Sequence, residues 1–286
     1  MLREADFLSD KERYVRVIIE KDGEAVSRRG AQFIADLVRR RPDCVLGLAT
    51  GSTPLGAYRH LVDEHRAGRL DFSKVRTFNL DEYVGLPPTH PQSYRYFMQE
   101  NLFSQINVRP EHTHVPNGMA TDYDRACDEY ERRIAAAGGI DLQLLGIGTD
   151  GHIAFNEPGS SLASRTRLKS LTSETIRDNA RFFNSIDEVP RLAVTMGVGS
   201  ILDARRCVLL AIGAGKAEAI KATVEGPVTS QITASALQLH RDAIVIVDEA
   251  AASHLARRSY YLEVEQAQRL LEAGDFRALG IGGRGV

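Results

Sequence analysis

The sequence of 286 residues has no tryptophan, only three cysteines and no excess of charge of either sign. Cys44, Cys127 and Cys207 are an odd number without close spacing, so neither a disulfide framework nor a cysteine zinc site is predicted. With 36 basic and 38 acidic residues, the net charge of −2 provides no general field for nucleic acid or a membrane surface. An anionic ligand would therefore have to be held by local charges.

Long apolar runs are also missing. No run approaches the roughly 20 residues of a transmembrane helix, and the first residues, MLREADFLSDKER, are charged throughout, unlike a secretory leader. No H-x-x-x-H pair is present, and no G-x-S-x-G turn for a nucleophilic serine. We therefore expect a cytoplasmic protein that binds a small molecule, without metal, cofactor, nucleic acid or membrane.

Short apolar runs alternate with amphipathic stretches along the whole chain, which is typical of βαβ units. The predicted strands lie at 14–19, 44–49, 75–80, 141–147, 192–196, 207–212 and 243–247. The predicted helices lie at 25–40, 54–66, 92–103, 123–137, 216–224 and 250–271. This order predicts one α/β domain over residues 1–286, with a mostly parallel sheet, helices on both faces and loose termini at 1–13 and 280–286.

The turn Ala49–Pro54 (ATGSTP) follows a predicted strand and opens a helix. Gly51 permits close backbone approach, while Thr50, Ser52 and Thr53 add hydroxyl donors to the free N–H groups of the helix start. Such a turn is either an anion site or an ordinary helix cap. Because it matches neither G-x-G-x-x-G nor G-x-x-x-x-G-K-[ST], it does not indicate a dinucleotide or a nucleoside triphosphate.

Acidic side chains follow two further predicted strands. Asp81 and Glu82 are adjacent at the end of FNLDEY, so only one of them can readily face a common site. A carboxylate partly withdrawn from water can act as a general base. In GIGTDGHIAFNEP, Asp150 and Glu157 flank His152, and an imidazole flanked by carboxylates can exchange protons near neutral pH.

Basic side chains complete the set of candidates. Lys216 follows a strand in AIGAGK, and Arg181 belongs to a group of basic residues after the His152 loop. Arginine suits bidentate contacts to phosphate, although most single basic residues of a protein are solvated surface charges. In an open α/β sheet, ligands bind beyond the carboxyl ends of the strands, where these motifs all fall.

Several of these motifs, in this order, resemble the glucosamine-6-phosphate deaminase family, also called the glucosamine/galactosamine-6-phosphate isomerase family. The matching stretches include LGLATGSTPLGAY, FNLDEYVGLPPTHPQSY, LLGIGTDGHIAFNEPGSS and LLAIGAGKAEAI, and the likeness extends over about residues 14–247. The resemblance implies a Rossmann-like three-layer fold without a nucleotide. It also implies an aldose–ketose isomerisation with loss of ammonia in amino-sugar catabolism, which we class as an isomerase and hydrolase reaction.

The resemblance also implies roles for single residues. Asp81 matches the carboxylate that moves a proton between C2 and C1, and His152 matches the residue that assists ring opening. Asp150 and Glu157 match acids that orient this imidazole. The phosphate clamp of the family corresponds to Thr50, Gly51, Ser52, Thr53, Arg181 and Lys216, and its mobile lid to residues 158–189.

Some family members are hexamers with an effector site for N-acetylglucosamine 6-phosphate, and Ser160, Arg167 and Lys169 match residues of that site. In those members the amino terminus helps to bind the effector, whereas here about a dozen residues precede Tyr14. The family's tyrosine role is not assigned between Tyr260 and Tyr261. We expect a homo-oligomer from the resemblance, with effector activation as a hypothesis.

Three alternatives remain open at the level of sequence. A 6-phosphogluconolactonase shares the fold and a G-x-G-x-D-G-H loop, but Glu157 in IAFNEP favours the deaminase. A sugar-phosphate sensor without activity would be expected to lose Asp81 or His152, and the chain has both. A deaminase for a different amino-hexose phosphate would use the same residues.

Overall fold

The computed structural model describes residues 15–275 and residue 278. The segments predicted as loose termini, 1–13 and 280–286, lie outside these residues, as does the amino terminus on which the effector hypothesis depends. Within the described residues, no helix is both long enough and apolar enough to cross a membrane.

Seven strands form one parallel sheet in the order β1-β10-β9-β6-β2-β3-β5. The strands are β1 (Arg16–Glu20), β2 (Val45–Leu48), β3 (Arg76–Asn79), β5 (Thr113–His114), β6 (Leu142–Leu145), β9 (Cys207–Ala211) and β10 (Ala243–Asp248). Every residue of β2, β6, β9 and β10 is buried, as expected for strands covered on both faces. The predicted fold class, with its mostly parallel sheet, is confirmed.

Helices cover both faces of this sheet and enclose two hydrophobic cores. They are α1 (Gly23–Arg40), α2 (Ser52–Arg66), α3 (Tyr94–Asn101), α4 (Tyr123–Ala136), α5 (Ser173–Asn179), α6 (Val198–Leu202), α7 (Ala217–Val224) and α8 (Arg258–Glu272). α1, α2 and α3 contribute to one core, and α4, α6 and α7 to the other. α1 illustrates the local cause: Asp22 caps its first turn by accepting the Ala25 N–H, and its buried residues recur at helical spacing.

A second, three-stranded antiparallel sheet was not predicted. It consists of β4 (Asp81–Tyr83), β8 (Leu192–Thr195) and β7 (Arg167–Ser170), in the order β4-β8-β7. The predicted strand 192–196 therefore exists, but it belongs to this small sheet and not to the parallel one. β4 follows β3 after a single residue, so the sequence pattern merges two strands that belong to different sheets.

The helix predicted over 250–271 begins later than expected. It starts at Arg258, and the residues before it form turns. The cause is competition for backbone donors. The Asp248 carboxylate accepts the Ala251 N–H at 2.8 Å, and the Glu225 carboxylate accepts the N–H groups of Ala256 and Arg257, both at 2.9 Å.

Candidate active site

A cavity of about 530 Å³ lies beyond the carboxyl ends of β2, β3 and β6. This is the position at which open α/β sheets bind ligands. It brings together eight of the residues singled out in the sequence: Thr50, Gly51, Ser52, Thr53, Asp81, His152, Arg181 and Lys216. The predicted convergence of the strand-end motifs is therefore observed in the fold.

The turn between β2 and α2 forms one wall of the cavity. Gly51 has φ of 97°, a left-handed conformation that glycine adopts without strain, and α2 begins at the next residue, Ser52. The strand end before it is held by Tyr58, whose hydroxyl donates to the Ala49 carbonyl at 2.5 Å. The first N–H groups of this 15-residue helix thus face the cavity together with the hydroxyls of Ser52 and Thr53.

The two adjacent carboxylates have different surroundings. Glu82 accepts three backbone N–H groups, from Tyr83 at 2.8 Å and from Tyr94 and Arg95 at 2.9 Å, so it fixes the start of α3. Asp81 lines the cavity, and no hydrogen bond to its carboxyl group occurs among the described residues. Only one of the pair faces the site, as strand alternation predicts.

The environment of Asp81 changes its acidity. Burial, and then the neighbouring charge of Glu82, raise the pKa of Asp81 to about 8, well above the usual value of 3.8. No hydrogen bond from a described residue offsets this cost of ionisation. A carboxyl group with a pKa close to neutrality can accept and return a proton at physiological pH.

His152 and Asp150 form a pair on the opposite wall. Nδ1 of His152 lies 2.7 Å from Oδ1 of Asp150, which also accepts the backbone N–H of His152 at 3.1 Å. Burial raises the pKa of Asp150, but the contacts with His152 outweigh it and hold the pKa below its usual value. Gly148 makes room for the pair, since a Cβ there would come within 2.5 Å of the imidazole ring.

The loop after His152 is held by buried polar side chains that sequence reasoning missed. Asn156, fully buried, donates to the carbonyls of Ile153 and Met196 at 3.0 and 2.8 Å. Thr233 donates to the Asn156 carbonyl at 2.8 Å. These contacts hold Ala154, which lines the cavity, at a φ of 50°, a strained value for alanine. Nothing local to the sequence separates such a buried asparagine or threonine from a surface one.

Glu157 does not line the cavity. It is 1% exposed, and its Oε1 accepts the backbone N–H of Thr172 at 2.9 Å. Its Oε2 is buried without a hydrogen-bond partner in the described part of the chain, and no contact with His152 is observed there. The structure therefore places Glu157 between the His152 loop and the start of α5, and its role toward the imidazole stays a prediction.

Arg181 and Lys216 supply positive charge at the mouth of the cavity. Arg181 lies in a 3₁₀ turn after α5, with its guanidinium carbon 4.7 Å from the centre of the Phe182 ring. Burial lowers the pKa of Lys216, which ends a 3₁₀ turn after β9. Neither cation forms an ion pair with a carboxylate of residues 15–275, so both are free to bind an anion.

The three residues matched to an effector site lie outside this cavity. Arg167 and Lys169 are half-buried on the same side of β7, and Ser160 is buried with an unpartnered hydroxyl among the described residues. Arg167 donates to Oδ1 of Asn156 at 2.9 Å, so it contacts the loop that carries His152. Of the two tyrosines, Tyr260 is exposed, while Tyr261 is half-buried and packs against the core; burial raises its pKa to about 12.

Comparisons with known proteins agree with this arrangement. A family model described as glucosamine-6-phosphate isomerases/6-phosphogluconolactonase matches residues 21–246. A protein of Hahella chejuensis named glucosamine-6-phosphate deaminase is 57% identical over 251 residues, which cover 88% of this chain and 96% of the relative. A protein of the same name from Shewanella loihica is 54% identical over 259 residues, covering 91% and 97% of the two chains.

A solved structure described as a monomeric glucosamine-6-phosphate deaminase superimposes with a TM-score of 0.82 at 44% identity. The match covers 84% of this chain and all of the other. Sequence and structure thus agree over most of the chain. The chain belongs to the family of glucosamine-6-phosphate isomerases and 6-phosphogluconolactonases.

Proposed function

We propose that the chain catalyses the conversion of glucosamine 6-phosphate and water into fructose 6-phosphate and ammonia. The observation that carries this proposal is Asp81. Its carboxyl group accepts no hydrogen bond from the described residues, and it lines the same cavity as His152, which pairs with Asp150, and as Arg181 and Lys216. Relatives at 54 and 57% identity with the name glucosamine-6-phosphate deaminase support the same reaction.

The phosphate group of the substrate would bind at the mouth of the cavity. The N–H groups and hydroxyls at the start of α2 face this space, as do Arg181 and Lys216. A dianionic phosphate is favoured by the helix dipole and by charge-assisted hydrogen bonds. This position leaves the sugar carbons to extend toward Asp81 and His152.

The reaction then proceeds in three steps. In ring opening, the C1 hydroxyl loses its proton and the ring oxygen gains one, for which an imidazole held by Asp150 is suited. Asp81 then takes the proton from C2 of the open aldehyde and delivers one to C1, while the C1 oxygen gains a proton and the C2 amine loses one, so the aldehyde becomes a hydroxymethyl group and the amine an imine. Water adds to this imine, and the C2–N bond breaks with release of ammonia.

We infer that only part of the predicted lid, 158–189, moves. Residues 167–170 are hydrogen-bonded as β7 to β8, which anchors the first half. The second half, from α5 onward, supplies Asp178, Arg181 and Phe182 to the cavity wall, and Phe182 is 45% exposed. Closure of this half would exclude water and strengthen the electrostatic contacts with the phosphate.

The two alternatives have less support. A lactonase needs a base that activates water, but it has no use for a carboxyl group that returns a proton to carbon. A sensor would not need Asp81 at all. The label hydrolase, which we attached to this reaction from the sequence, is the wrong class, because an aldose–ketose isomerisation precedes the loss of ammonia.

Assembly, location and effector response stay predictions. The resemblance predicts a homo-oligomer, whereas the solved structure described above is that of a monomeric deaminase. A cytoplasmic location follows only from the sequence features. Activation by N-acetylglucosamine 6-phosphate through Ser160, Arg167 and Lys169 would be contradicted by rate curves that stay hyperbolic and unchanged when it is added.

A paired assay tests the activity. Purified protein receives glucosamine 6-phosphate, and fructose 6-phosphate and ammonia are both quantified. Equimolar appearance of the two products supports the deaminase. If neither appears, the same sample receives 6-phosphogluconolactone: hydrolysis would transfer the assignment to the lactonase, and inactivity with measurable sugar-phosphate binding would favour a sensor. Galactosamine 6-phosphate in parallel reports the preference for the C4 epimer.

A further inference from the structure

A second cavity, of about 440 Å³, lies on the other side of β4 from the first. α3, α4, β5 and the segment 115–119 form its walls. Because side chains alternate along a strand, Asp81 faces the catalytic cavity and Glu82 faces this one. The volume is in the range of sites for small organic ligands, about 300–1,000 Å³. None of the roles described above uses this space.

Arg95 is the central cation of the second cavity. It is half-buried, and its Nη1 donates to the carbonyl and the hydroxyl of Thr113 at 3.0 and 2.8 Å. Its guanidinium carbon lies 5.6 Å from the centre of the Phe103 ring. No carboxylate in the described part of the chain forms an ion pair with it, and burial lowers its pKa. Even partial burial of a guanidinium without a counter-charge is unfavourable, and a bound anion would offset this cost.

Further positive charge surrounds His114 in the same wall. Its ring stacks on Phe78 with 4.6 Å between the centres, and it is half-buried. Burial is the main cause that lowers the pKa of His114. Four nearby basic side chains lower it further: Arg133, His112, Arg95 and Arg76. Basic side chains thus lie close to this wall of the cavity.

Two acidic residues, Glu82 and Glu129, line the cavity beside Arg95 and Arg133. Glu129 pairs with Arg133 at 3.0 Å and with Arg132, which lies outside the cavity, at 3.1 Å. Glu82 already accepts three backbone N–H groups, and burial raises its pKa. The four lining charges therefore balance when both carboxyl groups are ionised, and protonation of Glu82 leaves one positive charge.

The remaining walls suit the apolar part of an organic ligand that carries an anionic group. Leu86, Pro88, Val115, Pro116 and Met119 contribute apolar surface, and the cavity is larger than an inorganic anion requires. Two guanidinium groups favour a doubly charged tetrahedral anion over a single carboxylate. We propose that this cavity is a second ligand site, separate from the catalytic one, for a small phosphomonoester bound through Arg95 and Arg133. This site does not depend on the reaction proposed above.

Binding of glycerol 2-phosphate, measured by isothermal titration calorimetry, tests the site. The catalytic anion site is first weakened by Arg181→Met and Lys216→Met, and all further variants are made in this background. We expect one site with Kd below about 1 mM. Arg95→Met and Arg133→Met should each weaken binding about tenfold or more, as expected for loss of one charge-assisted contact. Malonate, which offers carboxylates only, should bind at least about tenfold more weakly.

Arg132→Met is the matched control. Arg132 pairs with the same Glu129 but does not line the cavity, so its removal should change Kd less than about threefold. Arg133 is exposed, so its variant stays interpretable even if Arg95→Met unfolds the protein. The proposal is overturned by no binding up to about 10 mM, by equal weakening in Arg132→Met and Arg133→Met, or by unchanged binding in Arg133→Met. Malonate binding as tight as that of glycerol 2-phosphate would overturn the phosphomonoester class.

Discussion

At the corner where α8 packs beside β1, Glu265 lies among three arginines, whereas Asp81 in the catalytic cavity forms no ion pair with a described residue. Oε2 of Glu265 is 2.7 Å from Arg16, and its Oε1 is 2.8 Å from Arg269 and 3.4 Å from Arg29. Both carboxyl groups are buried, at 7% exposure for the Glu265 side chain and 6% for Asp81. The same chemical group is therefore neutralised by partners in one place and left uncompensated in the other.

This difference separates charges that stabilise the fold from charges that act on a ligand. A buried carboxylate with three guanidinium partners has its charge balanced, so removing it takes one ion-pair partner from each of them. A buried carboxyl group without partners destabilises the folded state when it ionises, and such strain is common at functional sites. The cations show the same contrast. Arg16 and Arg269 pair with carboxylates, whereas Arg181 and Lys216 in the cavity form no ion pair with a described residue.

The largest expected effect is on catalysis at Asp81. We expect Asp81→Asn to lower kcat about 10²- to 10⁴-fold, because an amide cannot carry the proton between two carbons. The protein should stay folded, since no hydrogen bond to this carboxyl group is lost. Steady-state kinetics and a thermal melt measure the two effects. Asp178→Asn, which removes an exposed carboxylate from the same cavity, should change kcat less than about threefold. A kcat within tenfold of normal in Asp81→Asn would refute the proton-transfer role.

The opposite result is expected at the α8 corner. Glu265→Gln should lower the free energy of unfolding by about 2 kcal/mol, less than for a fully buried pair because its arginines are partly exposed. Its kcat should be unchanged. Glu272→Gln is the control: Glu272 pairs with Arg16 but is 47% exposed, so the loss should be below about 0.5 kcal/mol. Urea unfolding measures both, and equal losses would show that burial of Glu265 does not matter.

A smaller effect is expected at the phosphate clamp. Lys216→Met should raise KM about 10- to 30-fold and change kcat less, since it removes one charge-assisted contact to the bound phosphate. Lys221→Met is the control. It changes the net charge by the same amount on the exposed side of α7, away from the cavity, and should leave KM within about twofold. A similar rise in both variants would indicate a general field in place of a specific contact.

A further effect is expected in the dependence of stability on pH. Folded Asp81, with a pKa of about 8, keeps its proton where the unfolded chain, near 3.8, has lost it. The folded state therefore binds more protons between these values, and the stability of the wild type falls as pH rises, by at most about 1.4 kcal/mol per unit. Asp81→Asn removes this dependence, so its stability relative to the wild type should increase from pH 5 to pH 8. Urea unfolding at several pH values measures the difference, and a constant difference would contradict the raised pKa.

Most of the fold could be predicted because its signals are local. Buried parallel strands need continuous apolar runs, and helices that cover a sheet need apolar residues at helical spacing. Since parallel strands end at one edge, motifs at their carboxyl ends had to meet, which placed Asp81, His152 and Lys216 around one cavity. The small antiparallel sheet was missed because β4 follows β3 after one residue and no turn signal separates them.

The sequence by itself determined the fold class, the edge of the sheet that carries the site and the residue types collected there. Only the tertiary structure decided which charged groups are buried, which are paired and which line the cavities. It directed Glu82 to the start of α3, turned Glu157 toward Thr172 and left Arg95 without an ion pair to any described carboxylate. The physical reason is that burial and pairing depend on residues distant in the chain. The energy of a charge is set by those neighbours and not by its own position in the sequence.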